Sequence, residues 1–141
     1  GPKPDGSIMD WQKKTMLQLG QWLKKHGEAI YNCVGEWQNP FSNPLAPWFT
    51  TRKNNTLYLH LLRYPGASFG VANHHNYHLS SAELMDTGKK LKIIHEPTRD
   101  IISGLPRQSP DPLACIVKVK IRDKTPAEIK ARQWIGIADP V

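Results

Sequence analysis

The chain has 141 residues, 39% of them apolar and 22% charged, which is the balance of an ordinary globular domain and excludes a globally disordered chain. No apolar run approaches the ~20 residues of a membrane-spanning helix, and the first residues do not read as a basic-then-apolar signal segment. The net charge of +7 raises nucleic acid as a partner. The cations are dispersed, however, and no dense basic run is interleaved with aromatics, so solvated faces are expected, with neither nucleic acid nor membrane bound.

In chain order, Pro2-Lys3-Pro4-Asp5-Gly6 reads as a turn, because proline fixes φ and Asp-Gly favours a tight reversal. Ser7 is the expected N-cap of a helix of about eighteen residues. Met9, Met16, Leu19 and Leu23 recur at helical spacing, with Trp11 and Trp22 on the flank. Lys24-Lys25-His26 places cations at the negative end, and Gly27 is expected at C′ with positive φ. Residues 35–47, rich in proline and without period, read as a linker.

From Phe49 the period drops to two. Asn54-Asn55 marks a hairpin between strands at 48–53 and 56–63, with Leu57, Leu59 and Leu61 facing one way and Tyr58 and His60 the other. A short strand is expected at 69–72, His74 to His78 as a loop, and further strands at 82–85, 91–95 and 100–105. In 114–121, Val117, Val119 and Ile121 alternate with Lys118 and Lys120, the pattern of a half-buried strand. Six or seven short strands separated by turns predict a mainly β chain, an antiparallel β-sandwich preceded by one amphipathic helix. The tail 123–141 offers a helical turn from Pro126 and a strand over 134–137, and its uncapped end reads as a truncation.

The candidate chemistry is sparse. His74 and His78 stand i, i+4 with His75 between them, a zinc-ligand spacing only if helical, and they fall in a loop with no nearby Cys or carboxylate; no metal or other cofactor is expected. Cys33 and Cys115 are too few for a disulfide framework, and Cys115 reads as a buried free thiol. Trp37, Trp48, Tyr58 and Tyr77 are candidates for stacking on sugar rings, weighed against packing roles. Asp10 and Glu28 lie about 27 Å apart along one helix, too far to act as a glycosidase pair; Asp10 reads as a helix-terminus charge and Glu28 as a structural residue. Asn54-Asn55-Thr56 is a glycosylation sequon at a turn.

Three passages of the helical block, Gly1-Pro2-Lys3-Pro4-Asp5-Gly6-Ser7-Ile8, Leu19-Gly20-Gln21-Trp22-Leu23 and Gly27-Glu28-Ala29-Ile30-Tyr31, occur in an order that resembles the C-terminal part of α-L-fucosidases of glycoside hydrolase family 29. Phe49-Thr50-Thr51-Arg52-Lys53, Thr56-Leu57-Tyr58-Leu59-His60 and the Leu105-to-Pro112 passage extend the resemblance to residues 1–121. Met9, His26 and Cys33-Val34 depart from the usual pattern.

The resemblance implies that residues 1–34 are the last helical segment of a (β/α)8 barrel, 35–47 a linker, 48–122 a C-terminal β-sandwich and 123–141 a tail. It implies a retaining enzyme whose two catalytic carboxylates belong to the upstream barrel; no residue here matches either. The chain is then an accessory portion of an enzyme that hydrolyses terminal α-L-fucosides of glycans, inactive alone and structural in role. The barrel is its expected partner, fucosylated glycans or a second copy through the helix face are further ones, and a secreted, periplasmic or lysosomal location is implied. The alternative is a free-standing, non-catalytic carbohydrate-binding or interaction module. The helix also carries a structural expectation: Met16, Leu19 and Leu23 should be left partly bare in the chain alone.

Overall fold

A computed structural model describes residues 2–35, 48–72 and 77–133. Helix α1 spans Asp10–His26 and runs on into a short 3-10 turn, Gly27–Ala29. Strands β1 (Val34–Gly35), β2 (Trp48–Lys53), β3 (Thr56–Leu61), β4 (Ser68–Ala72), β5 (Tyr77–Leu84), β6 (Lys89–His95), β7 (Arg99–Ser103) and β8 (Cys115–Asp123) follow, then helix α2 (Pro126–Gln133). The strands form one eight-stranded sheet in the order β1-β2-β3-β8-β5-β6-β7-β4, every neighbouring pair antiparallel.

The sheet curls into a sandwich at β6. The first residues of β6, Lys89–Leu91, pair with β5, and its last four, Lys92–His95, pair with β7. The two layers enclose one core, to which β3 gives Leu57, Leu59 and Leu61, β8 gives Val117, Val119 and Ile121, and the far layer gives Phe69, Val71 and Ile102. The β3–β8 register sets Leu57, Leu59 and Leu61 opposite Val119, Val117 and Cys115, so the alternating apolar residues of both strands share the inner face.

The outer face of the same strands is covered as well. Every residue of β3 is buried, because the end of α1 and the 3-10 turn lie over Tyr58 and Ile116 in a second cluster with Ala29, Trp22, Cys33 and Met85. Alternation in β3 therefore separates two covered faces rather than a core face from a wet one.

Several local expectations are corrected. Ser7 does not cap α1; its hydroxyl and N–H both turn back to Asp5 Oδ1, at 2.7 and 2.9 Å, and Met9 is the N-cap, its N–H held by Gln12 Oε1. Gly27 has φ −57 rather than a left-handed conformation, because the chain tightens into a 3-10 turn instead of reversing. A side chain there would meet the Tyr31 ring at 2.7 Å, so close approach is what glycine permits. The left-handed residue comes later, at Asn32. Residues 77 and 78 belong to strand β5, not to a loop; a register irregularity between Leu79 and Ser81 breaks the alternation that would have marked the strand. The hairpin at Asn54-Asn55 is as expected, with Asn54 at φ 53, and both cysteines are free. The expected strand at 134–137 lies outside the described residues.

Candidate functional site

The densest polar cluster lies where α1 ends against the sheet. Lys25 and His26 reach the turn after β5, where Asp86 Oδ1 accepts from the Lys25 ammonium at 2.7 Å and faces His26 Nε2 at 2.9 Å. The other ring nitrogen, His26 Nδ1, lies 3.2 Å from the Trp22 carbonyl one helical turn back. Asp111, from the passage before β8, stands 3.7 Å from Lys25 Nζ. His26 is wholly buried and the Asp86 side chain is 1% exposed. Trp22 adds a neutral tie, its indole N–H donating to the Ala114 carbonyl at 2.8 Å.

Burial pushes the Asp86 carboxyl up, and the hydrogen bonds from Lys25 and His26, together with their charges, outweigh it and hold the group below the usual carboxylate range. Asp86 and Asp111 have oxygens within 4.8 Å of each other and of a His26 nitrogen, close to the separation of about 5–5.5 Å between the carboxylates of a retaining glycosidase. Chemistry argues against that use. A general acid needs a raised pKa, whereas Asp86 is lowered, enclosed and already engaged by the Lys25 ammonium and the His26 ring. As a metal site the cluster is equally poor, because the Lys25 ammonium sits on both carboxylates and supplies the positive charge a cation would bring. Among the described residues Asp86 Oδ2 finds no hydrogen-bond partner.

A second tie lies beside it. Glu28 Oε1 accepts from the Tyr58 hydroxyl at 2.8 Å and from Lys118 Nζ at 2.6 Å. Lys118 and then Tyr58 hold the Glu28 carboxyl below its usual range; burial and then Glu28 push the Tyr58 hydroxyl up. Next to it Thr51 donates to the Ala29 carbonyl at 2.6 Å and lies 2.9 Å from His60 Nε2. Burial, helped by the His26 charge, lowers His60 to about 4.

Of the candidate sugar-stacking residues, the described side chains are those of Tyr58 and Tyr77. Tyr58 is 2% exposed, packed beneath the 3-10 turn, and its ring offers no face to a ligand. Tyr77 is half-buried against the core, with the Arg52 guanidinium 4.6 Å from its ring centre and hydrogen-bonded to its hydroxyl. Trp37 and the Trp48 side chain lie outside the described residues, as do His74 and His75. His78 stacks on His95, centroids 4.4 Å apart.

An apolar concavity of about 580 Å³ lies elsewhere, between the opening turn and the start of α1, lined by Pro2, Ile8, Trp11, Gln12, Thr15 and Met16. It contains no titratable group. It adjoins a bare helix face: Trp11 is 64% exposed, Met16 62% and Leu19 51%. Trp11, Thr15, Trp22 and His26 lie on one helical stripe. Its C-terminal half is covered by the sheet, and its N-terminal half projects past it.

No family model matches the chain. Curated relatives do. The chain is 29% identical to the tissue α-L-fucosidase of Mus musculus over 113 residues, 78% of this chain and 24% of that one. It is 30% identical to the tissue α-L-fucosidase of Macaca fascicularis over 121 residues, again 78% and 24%, and 28% identical to the human plasma α-L-fucosidase, 82% and 25%. The chain is a relative of the family 29 α-L-fucosidases.

It spans about a quarter of the length of those relatives, as a C-terminal part of such an enzyme would. Solved fucosidases share the fold. The Thermotoga maritima α-fucosidase aligns at TM-score 0.65 and 26% identity over 85% of this chain and 29% of that one. The family 29 α-L-fucosidase of Bacteroides thetaiotaomicron aligns at TM-score 0.68 and 22% identity, over 86% and 27%.

Proposed function

We propose that the chain is the C-terminal accessory portion of a retaining α-L-fucosidase, which hydrolyses terminal α-L-fucosides of glycans on carboxylates outside these residues. The single observation that carries this reading is the division of α1. Trp22, His26 and the following turn are tied to the sheet by the Asp86 and Glu28 contacts, while Trp11, Met16 and Leu19 are left to solvent. An apolar helix face stable in water needs a cover. The catalytic barrel is that cover, and the sandwich is the brace that sets the angle at which α1 meets it.

In this reading the sandwich contributes rigidity rather than chemistry. Two charged ties and one indole hydrogen bond hold the last turns of α1 to the sheet, so the helix cannot rotate about its axis without breaking a buried pair. The burial of Tyr58 weighs against the sugar-binding alternative, since it removes one stacking surface. Calorimetric titration of the purified chain with L-fucose and with fucosylated oligosaccharides tests the choice. No heat of binding at millimolar sugar is expected; saturable binding that Tyr77→Ala abolishes would replace the brace with a binding module.

A further inference from the structure

The sheet divides at the end of β5 remote from α1. There β5 pairs with β8, with Tyr77, His78 and Leu79 opposite Asp123, Arg122 and Ile121. The β5–β6 ladder is confined to Ala82–Leu84, and the end of β6 pairs with β7 instead. Across that divide the His78 ring lies on the His95 ring, centroids 4.4 Å apart and planes inclined by 28°. His95 is held from behind by Asp100, whose Oδ1 is 2.7 Å from Nδ1, and Asp100 is itself 6% exposed. Opposite His78, Arg122 is clasped by Glu128 of α2 through two hydrogen bonds, at 2.8 and 3.0 Å.

We propose that the His78–His95 stack is a proton-operated latch that holds the start of β5 to the end of β6 and releases it on acidification. Stacking of two imidazoles is favourable while the pair carries at most one charge. His95 has a carboxylate, Asp100, at hydrogen-bond distance from Nδ1. Among the described residues His78 has none in contact, and the charged groups that face it are His95 from β6, Arg122 from β8, Asp100 from β7 and Glu128 from α2. Asp100 is already engaged by His95 Nδ1, and Glu128 by the Arg122 guanidinium. A proton on His78 therefore enters between a histidine and an arginine, and the ring must leave the stack to be solvated. Burial, then His95 and Arg122, push His78 below its ordinary 6.5, with Asp100 and Glu128 opposing. The folded ring binds its proton less tightly than a free one, so the latch is whole above about pH 6.5 and weakens as the pH falls below it.

Amide hydrogen exchange of the full chain, corrected for the intrinsic pH dependence and referred to the amides of β3, reads the latch. The amides of residues 77–79 should exchange several-fold faster at pH 5 than at pH 7.5. His78→Phe keeps a stacking ring and removes the proton, and should abolish the difference. Unchanged exchange in the wild type, or the same acceleration in His78→Phe, overturns the proposal. Should that variant not fold, NMR titration of the His78 ring in the wild-type chain decides. A midpoint below 6.5 that moves upward in His95→Gln supports the latch, and a midpoint at or above 6.5 overturns it.

Discussion

Asp86 Oδ1 faces Nε2 of a wholly buried His26 at 2.9 Å, across 60 positions of sequence. The contact joins the last turn of α1 to the turn after β5, and it is the innermost of the ties that fix the helix on the sandwich. Removing the carboxylate takes away the partner of a buried imidazole nitrogen. Asp86→Ala should cost about 3 kcal/mol, the usual penalty for breaking a buried pair. Lys25, 46% exposed, should matter far less, with Lys25→Met costing under about 1 kcal/mol. Urea unfolding of the two variants measures the contrast; equal losses would mean that the surface lysine and not the buried histidine is the partner that counts.

The Glu28–Tyr58 tie gives a smaller prediction. Tyr58→Phe keeps the buried ring and deletes the hydroxyl that donates to Glu28 at 2.8 Å. Glu28 remains paired with Lys118 and is partly solvated, so the loss should be about 1 kcal/mol. Tyr58→Ala, which also empties the site under the 3-10 turn, should cost about 3–5 kcal/mol. Chemical denaturation at neutral pH separates the two.

His60 predicts an acid limb. Its ring is buried beside Thr51 and Ala29, and burial with the His26 charge lowers it from 6.5 to about 4. Between those values the unfolded state binds a proton that the folded state does not. Stability is therefore whole above pH 6.5 and falls as the pH drops through that window, by roughly 3 kcal/mol at 1.4 kcal/mol per unit. His60→Gln, which cannot titrate, should flatten the slope of unfolding free energy between pH 6.5 and 4. An unchanged slope would assign the acid sensitivity to other groups.

The bare stripe of α1 predicts a silence. With Met16 62% and Leu19 51% exposed, Met16→Glu and Leu19→Glu should shift the stability of the isolated chain by no more than about 0.5 kcal/mol. Trp22→Ala, which loses the indole tie to Ala114 and the packing beneath it, should cost at least about 2 kcal/mol. Thermal unfolding of the three variants checks this; a large loss in Met16→Glu would show that the face is already packed.

How much of this was legible in the sequence depends on the range of the interaction. The alternation of Leu57, Leu59 and Leu61 and of Val117, Val119 and Ile121 is local, and it places both strands and their inner faces as found. Asn54-Asn55 is equally local, since a residue that tolerates φ 53 is needed at that turn. The early start of β5 was hidden by the irregularity after Leu79. The sequence pattern distinguishes the two faces of β3 but does not say that α1 covers the second one, which is why Tyr58 reads as a possible sugar platform. His26 and Asp86 are individually unremarkable; only the fold brings them together. A histidine immediately before the glycine that ends the helix was the available signal, because a polar residue on the stripe of Trp11 and Trp22 requires a partner.

The proposed role is to brace a fucosidase without performing its chemistry. Incubation of the purified 141-residue chain with an aryl α-L-fucoside tests it most directly. No release of the aryl group above the uncatalysed rate is expected. Turnover that survives repeated purification and is lost in Asp86→Asn or Asp111→Asn would contradict it, and would place a working carboxylate pair at the end of α1.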